Sequence, residues 1–162
     1  MKKKISGVIN LNKKILQQAK DCAFNLISYR DRTRYEIKKR LKNKGYNQDV
    51  INEVISVLTN LDYLDDYRFA QKWIKERIKY KPRGRYMLRY ELEKKGIKRS
   101  IIDKALSELY SDEIELEITE KLAKKWLKRN INKQNYHFKL KRYLHNKGIS
   151  DYIISEYFYR KN

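Results

Sequence analysis

A single cysteine, a single proline and five glycines are scattered through 162 residues. One thiol, Cys22, cannot close an internal disulfide, so a reducing, cytoplasmic setting is expected. With so little proline and glycine, few positions interrupt a helix. No apolar run approaches the roughly 20 residues that cross a bilayer, and no membrane association is expected. The opening "MKKKISGVINLNKK" is basic but carries no apolar stretch of the signal-peptide kind. Two histidines offer little to a zinc site, and acids are few beside the bases.

That imbalance is the main bulk clue. Forty Lys and Arg face 20 Asp and Glu, a net charge of +20. Residues 1–61 carry +9, residues 62–110 +6 and residues 111–162 +5, so no tail accounts for the excess. A folded body accepts such self-repulsion most readily beside a polyanion, which points to nucleic acid or an assembly containing it. A composition rich in Leu, Ile, Lys, Glu and Arg reads as all-α.

One sentence is written three times. "LKNKGYNQDVINEVI", "LEKKGIKRSIIDKAL" and "LHNKGISDYIISEYF" align on Gly45, Gly96 and Gly148, at spacings of 51 and 52 residues. Self-similarity at such a period marks a repeat architecture. Each glycine sits where a helix must end in a left-handed residue, with Lys44, Lys95 or Lys147 beside the negative end of the helix dipole. Asn47 and Ser150 then suit the N-cap of the next helix, whereas Lys98 caps less well.

Each copy also carries a longer upstream helix. Leu64 and Phe69 suit a hydrophobic staple about an Asp65 cap, with Ala70, Ile74 and Ile78 continuing the inward stripe. Ser111 caps a helix whose Ile114, Ile118, Leu122 and Trp126 face inward; Leu16, Ala19, Ala23 and Ile27 do the same in the first copy. The pattern predicts nine helices, near 12–29, 33–44, 48–59, 65–80, 84–95, 99–110, 112–130, 135–147 and 151–159. They group as three tandem three-helix repeats over 1–61, 62–110 and 111–162, the first with the basic N-terminal segment. Stacked into a curved rod, these repeats would span roughly 60–75 Å.

Little here resembles a catalytic site. Asp65 and Asp66 are adjacent, point about 100° apart on a helix, and read more plainly as helix-start acids than as a metal pair. His137 and His145 match no zinc spacing. Cys22 lacks a base nearby in sequence, and "KPRGRY" is no phosphate loop. Neither enzyme activity nor a cofactor or metal is expected.

Binding has more support. Arg34, Arg85 and His137 share one aligned place in the second helix of each copy, and Lys38, Arg89 and Lys141 share another four residues on. They flank the apolar seam of Ile37/Leu41, Leu88/Leu92 and Leu140/Leu144. With Arg30, Arg32, Arg77, Lys81, Arg83, Lys139 and Arg142 nearby, stacked copies would align a basic ridge suited to a periodic anion. A merely solvated helix shoulder is the plainer alternative for any one of them. Tyr35, Tyr86 and Phe138 also recur, about 140° from the seam centre. Packing against a neighbouring element is favoured for them over stacking on bases.

The middle copy, "LDYLDDYRFAQKWIKERIKYKPRGRYMLRYELEKKGI", resembles the signature of the RecX family of bacterial recombination regulators. The matching residues are Leu64, Asp65, Asp66, Phe69, Ala70, Trp73, Ile74, Arg77, Gly84, Leu88, Glu91, Leu92, Lys95, Gly96 and Ile97. "YRDRTRYEIKKRLKNKGY" resembles the family's arginine-rich opening helix, with Thr33-Arg34 where the family commonly has a serine. The likeness covers about 15–160 and, in the third copy, is one of pattern only. It implies a cytoplasmic protein of tandem three-helix repeats that lodges in the groove of the RecA filament on single-stranded, and also double-stranded, DNA. Such proteins modulate RecA in DNA repair and the SOS response, mostly inhibiting strand exchange, ATP hydrolysis and co-protease activity. The motif residues Leu64 to Gly96 are expected to be mainly structural. An independent DNA-binding protein with helix-turn-helix-like units is the alternative. No dimerisation segment is visible, and a monomer is expected.

Overall fold

The computed structural model describes residues 2–130 and 135–161, with side chains from residue 12 onward. Among the described residues there are nine α-helices and no strand. They are α1 (Lys2–Tyr29), α2 (Arg34–Asn43), α3 (Gln48–Asn60), α4 (Asp66–Tyr80), α5 (Arg85–Lys94), α6 (Arg99–Leu109), α7 (Asp112–Asn130), α8 (Tyr136–Asn146) and α9 (Asp151–Tyr159). Eight lie within about two residues of the sequence expectation. The exception is α1, which starts ten residues before the expected 12. No proline stands in residues 2–11 to stop a helix already nucleated downstream. The side chains of that basic N-terminal segment, through residue 11, lie outside the described ones.

Two compact units divide the chain, Met1–Phe69 and Ala70–Asn162. In the first, α1, α2 and α3 pack mutually around Ala19, Ala23, Ile37, Leu41, Val54 and Leu58, none of which is exposed. In the second, α5 packs on α6, and α7 packs on both α8 and α9. Its core includes Leu88, Leu92, Ile102, Ile118, Leu140 and Leu144. The seam residues of α2, α5 and α8 are thus all buried, as the 3.6-residue period requires.

All three glycine turns close identically. Gly45, Gly96 and Gly148 have φ of +86°, +74° and +81°. Each donates its N–H to the carbonyl three residues back (Lys42, Glu93, His145). The following residue, Tyr46, Ile97 or Ile149, donates to the carbonyl five back, that of Leu41, Leu92 or Leu144. This pair of bonds is the Schellman motif, and it satisfies carbonyls the helix end leaves open. Asn47 Oδ1 caps α3 by accepting from Val50 N–H at 2.9 Å. Lys98 and Ser150 make no side-chain cap bond. For Lys98 this matches the expectation; for Ser150 it does not, and its own backbone N–H donates instead to a buried carboxylate described below.

Candidate nucleic-acid interface

The aligned arginines of α2 and α5 stand at the first position of their helices. Thr33 caps α2 in a full capping box, its hydroxyl accepting from Glu36 N–H at 3.2 Å while Glu36 Oε2 accepts from Thr33 N–H at 3.2 Å. Arg34 then turns inward. Its backbone N–H donates to Asp66 Oδ1 at 3.0 Å, its Nε to Thr59 Oγ1 at 3.3 Å and an Nη to the Leu64 carbonyl at 3.2 Å. The other Nη lies 3.5 Å from Asp66 Oδ2.

Arg85 repeats this arrangement in the second unit. Its N–H donates to Glu115 Oε1 at 2.9 Å, and one Nη reaches both the Tyr110 carbonyl at 2.8 Å and Asp112 Oδ1 at 2.9 Å. In both cases the arginine grips the residue two before a helix and the acid opening that helix: Leu64 and Asp66 for α4, Tyr110 and Asp112 for α7. His137, at the third aligned place, is exposed and lies against Tyr136 and Phe158, ring centroids 4.0 and 5.9 Å away.

The remaining sequence-predicted cations divide into two groups. Arg89 places Nη and Nε at 2.7 and 3.1 Å from Asp103 Oδ1. Arg30 chelates Glu36 at 2.9 and 3.3 Å. Arg32 donates to the Leu26 carbonyl, and burial followed by Arg30 holds its pKa below the ordinary arginine value, with Glu36 opposing. Arg77 lies 4.1 Å above the Trp73 ring and 2.7 Å from Glu91 Oε2, and Arg83 Nε lies 3.6 Å from Glu91 Oε1. By contrast Lys38, Lys81, Lys141 and Arg142 are exposed, and Lys139 is half-buried.

The motif residues occupy structural positions. Leu64, Ala70, Leu88 and Leu92 are buried, and Phe69 is half-buried. Asp65 caps α4 by accepting from Tyr67 and Arg68 N–H at 2.8 and 3.0 Å. Lys95 stands 4.4 Å above the face of Trp73, whose indole N–H donates to Glu91 at 2.8 Å. Gly84 is buried against the backbone of Gly148 and Ile149, and Gly96 takes its left-handed φ.

Tyr35, Tyr86 and Phe138 differ from expectation. They are 46%, 57% and 68% exposed instead of packed. The cause is local: at Arg34 and Arg85 the preceding side chain points inward, so the next position, about 100° further round, faces out. Among the described residues no group of three or more His, Cys, Asp or Glu is placed to hold a metal ion. None of the described helices is long and apolar enough to cross a membrane.

The sequence pattern did not link the ridge cations to the acids that pair with them: Glu36, Asp66, Glu91, Asp103, Asp112 and Glu115. Glu115 is fully buried and serves two helix starts at once, accepting from Arg85 N–H and, at 3.2 Å, from Ser150 N–H. The visible signal was the concentration of acids in the first turn of α7.

Comparison with known proteins gives consistent results. Residues 19–58 match the first three-helix domain of RecX and residues 65–106 the second. A regulatory protein RecX of Listeria monocytogenes is 37% identical over 131 residues, 81% of this chain and 46% of that one. One of Caldanaerobacter subterraneus is 33% identical over 135 residues, 82% of this chain and 65% of that one. The chain therefore spans about half to two thirds of the length of these relatives. The crystal structure of RecX from Lactobacillus salivarius superposes with a TM-score of 0.85 at 29% identity, covering 91% of this chain and 97% of that one. With two successive family domains in order, similarity along most of its length and a shared helical fold, the chain belongs to the RecX family.

Proposed function

We propose that the chain is a non-enzymatic regulator that binds the RecA recombinase filament on DNA. It modulates RecA, mostly by inhibiting recombinase, ATPase and co-protease activities. Family membership is the observation that carries this reading. The net charge of +20 supports a polyanionic partner. Exposed Lys38, Lys81, Lys141 and Arg142 are the cations best suited to it, since their heads reach solvent. Arg34, Arg85 and Arg89 act mainly by fixing the helices that present them.

The mechanism is bridging. Long-range attraction draws the cytoplasmic monomer to the filament. Modest contacts from its three helical sets, 1–61, 62–110 and 111–162, then hold neighbouring RecA protomers in an unproductive arrangement. Phosphate contacts make that attachment salt-sensitive. The test is RecA ATP hydrolysis and strand exchange on single-stranded DNA at increasing concentrations of this chain. Inhibition that weakens as salt rises is expected; unchanged RecA activity at saturating protein sinks the proposal.

The outward-facing Tyr35, Tyr86 and Phe138 also favour a second reading, an independent DNA-binding protein with helix-turn-helix-like units. Footprinting on genomic DNA without RecA decides it: a discrete protected site supports the second reading, and uniform protection removes it.

A further inference from the structure

In the second unit, cations are gathered where nothing in the packing demands charge. Gly84 N–H donates to the Lys147 carbonyl at 2.9 Å and Tyr86 N–H to the Gly148 carbonyl at 3.0 Å. These bonds, with the bare Gly84–Gly148 backbone contact, pin the start of α5 to the end of α8. Arg83 is thereby fixed beside Lys147.

The acid nearest Arg83 is already occupied. Glu91 Oε2 accepts from Trp73 Nε1 at 2.8 Å and from Arg77 Nε at 2.7 Å, leaving Arg83 a 3.6 Å approach to Oε1. Arg83 Nε is buried and has no hydrogen-bond partner among the described residues. Lys147 Nζ stands 5.2 Å from the Tyr143 ring centroid, and Trp126 lies against that same ring at 6.2 Å. Burial, then the charge of Arg83, then that of Lys125 hold the Lys147 ammonium below its ordinary pKa, so both cations act on it. Like charges held together by backbone bonds raise the energy of the fold unless an anion enters between them.

We propose that Arg83, Lys125 and Lys147, walled by Tyr143, form a phosphate-binding site that takes a backbone phosphodiester of single-stranded DNA. The site deepens the filament reading above and rests on it for the ligand's identity. The Arg83 fork and the Lys147 ammonium supply donors that suit phosphate oxygens. Exposed Lys125 guards the entrance, and the half-buried rings of Tyr143 and Trp126 offer a base a stacking surface at its edge.

The test uses the full chain without RecA, so its outcome is separate from that of the regulatory reading. Binding to a labelled oligothymidylate is followed by anisotropy across a salt series, for the parent, for Lys125→Gln/Lys147→Gln and for a charge-matched control, Lys98→Gln/Lys104→Gln. Each phosphate contact contributes about 0.7 to the slope of log K against log salt. The site variant, which loses one phosphate contact, should therefore flatten the slope by about 0.7 and bind about tenfold more weakly at low salt, beyond the change in the control. Inorganic pyrophosphate should displace the oligomer from the parent more effectively than from the site variant. A slope that falls no further than in the control overturns the proposal, as does a parent that does not bind the oligomer at low salt. A site variant that melts several degrees lower yet keeps its slope shows a structural cluster and overturns it equally.

Discussion

Arg85 and Glu115 meet twice: the arginine's backbone N–H donates to Oε1 at 2.9 Å, and its Nε lies 3.4 Å from Oε2. Glu115 is fully buried while Arg85 keeps a quarter of its side-chain surface. The carboxylate therefore answers the positive end of α5 and, through Ser150 N–H, that of α9. Glu115→Ala leaves both helix-start N–H groups without their acceptor, while the guanidinium keeps Asp112 and the Tyr110 carbonyl, at an expected cost of about 2–5 kcal/mol. Asp112→Ala, removing an acid whose side chain is 62% exposed, should cost at most about 1 kcal/mol. Urea unfolding of the two variants gives the comparison; equal losses contradict the assigned role of Glu115.

Glycine substitutions should separate two causes of strain. At Gly45 φ is +86° but nothing stands within 4 Å of an added Cβ, so Gly45→Ala bears only the left-handed penalty of about 1–2 kcal/mol. At Gly84 the backbone is ordinary, but a Cβ would overlap the carbonyl group of Gly148 and the nitrogen of Ile149, all main chain. Gly84→Ala must prise the two turns apart and break the Gly84–Lys147 bond. A lower melting temperature for Gly84→Ala than for Gly45→Ala is expected; the reverse order would contradict the close contact.

How much of this was legible in the sequence depends on the range of each interaction. The helix ends are local: a glycine, the apolar residue after it and the leucine before it lie within six positions, and all three turns follow the expected pattern. Thr33 and Glu36 are just as local. The partners of Arg34 and Arg85 lie 32 and 27–30 residues downstream, and no periodicity links a cation to an acid so far away. A ridge of solvent-facing arginines was therefore a fair expectation, although Asp66, Asp112 and Glu115 claim two of its members. Gly84 showed only as a loop glycine, because its need for a bare backbone comes from Gly148, 64 positions later.

Tyr110 predicts an alkaline limb of the stability curve. Its hydroxyl donates to the Arg83 carbonyl at 2.7 Å and is 1% exposed as a residue. Burial, and then the charge of Glu115, push its pKa well above the ordinary tyrosine value, with Arg85 opposing. The folded state thus holds a proton that the unfolded chain releases near pH 10. The contribution is whole below that pH, and stability must fall as pH rises above it. Tyr110→Phe removes the titrating group, so its unfolding free energy should decline less steeply above about pH 10 than the parent's. Parallel declines would show that Tyr110 is not the group responsible.

The two kinds of cation should also separate under mutation. Lys38, Lys81, Lys141 and Arg142 are exposed, so reversing all four to Glu alters the surface field with little change in packing. Thermal unfolding should shift by no more than a few degrees, while inhibition of RecA weakens strongly and most of all at low salt. Arg85→Ala works in the opposite order: it takes the guanidinium from Glu115, Asp112 and the Tyr110 carbonyl, leaving Glu115 only backbone N–H groups and Ser150, so melting falls first and any functional loss follows unfolding. Measuring melting and ATPase inhibition on the same preparations distinguishes the cases. A stable Arg85→Ala that no longer inhibits would move Arg85 from the scaffold to the contact surface, and full inhibition by the fourfold reversal would take the exposed cations out of the mechanism.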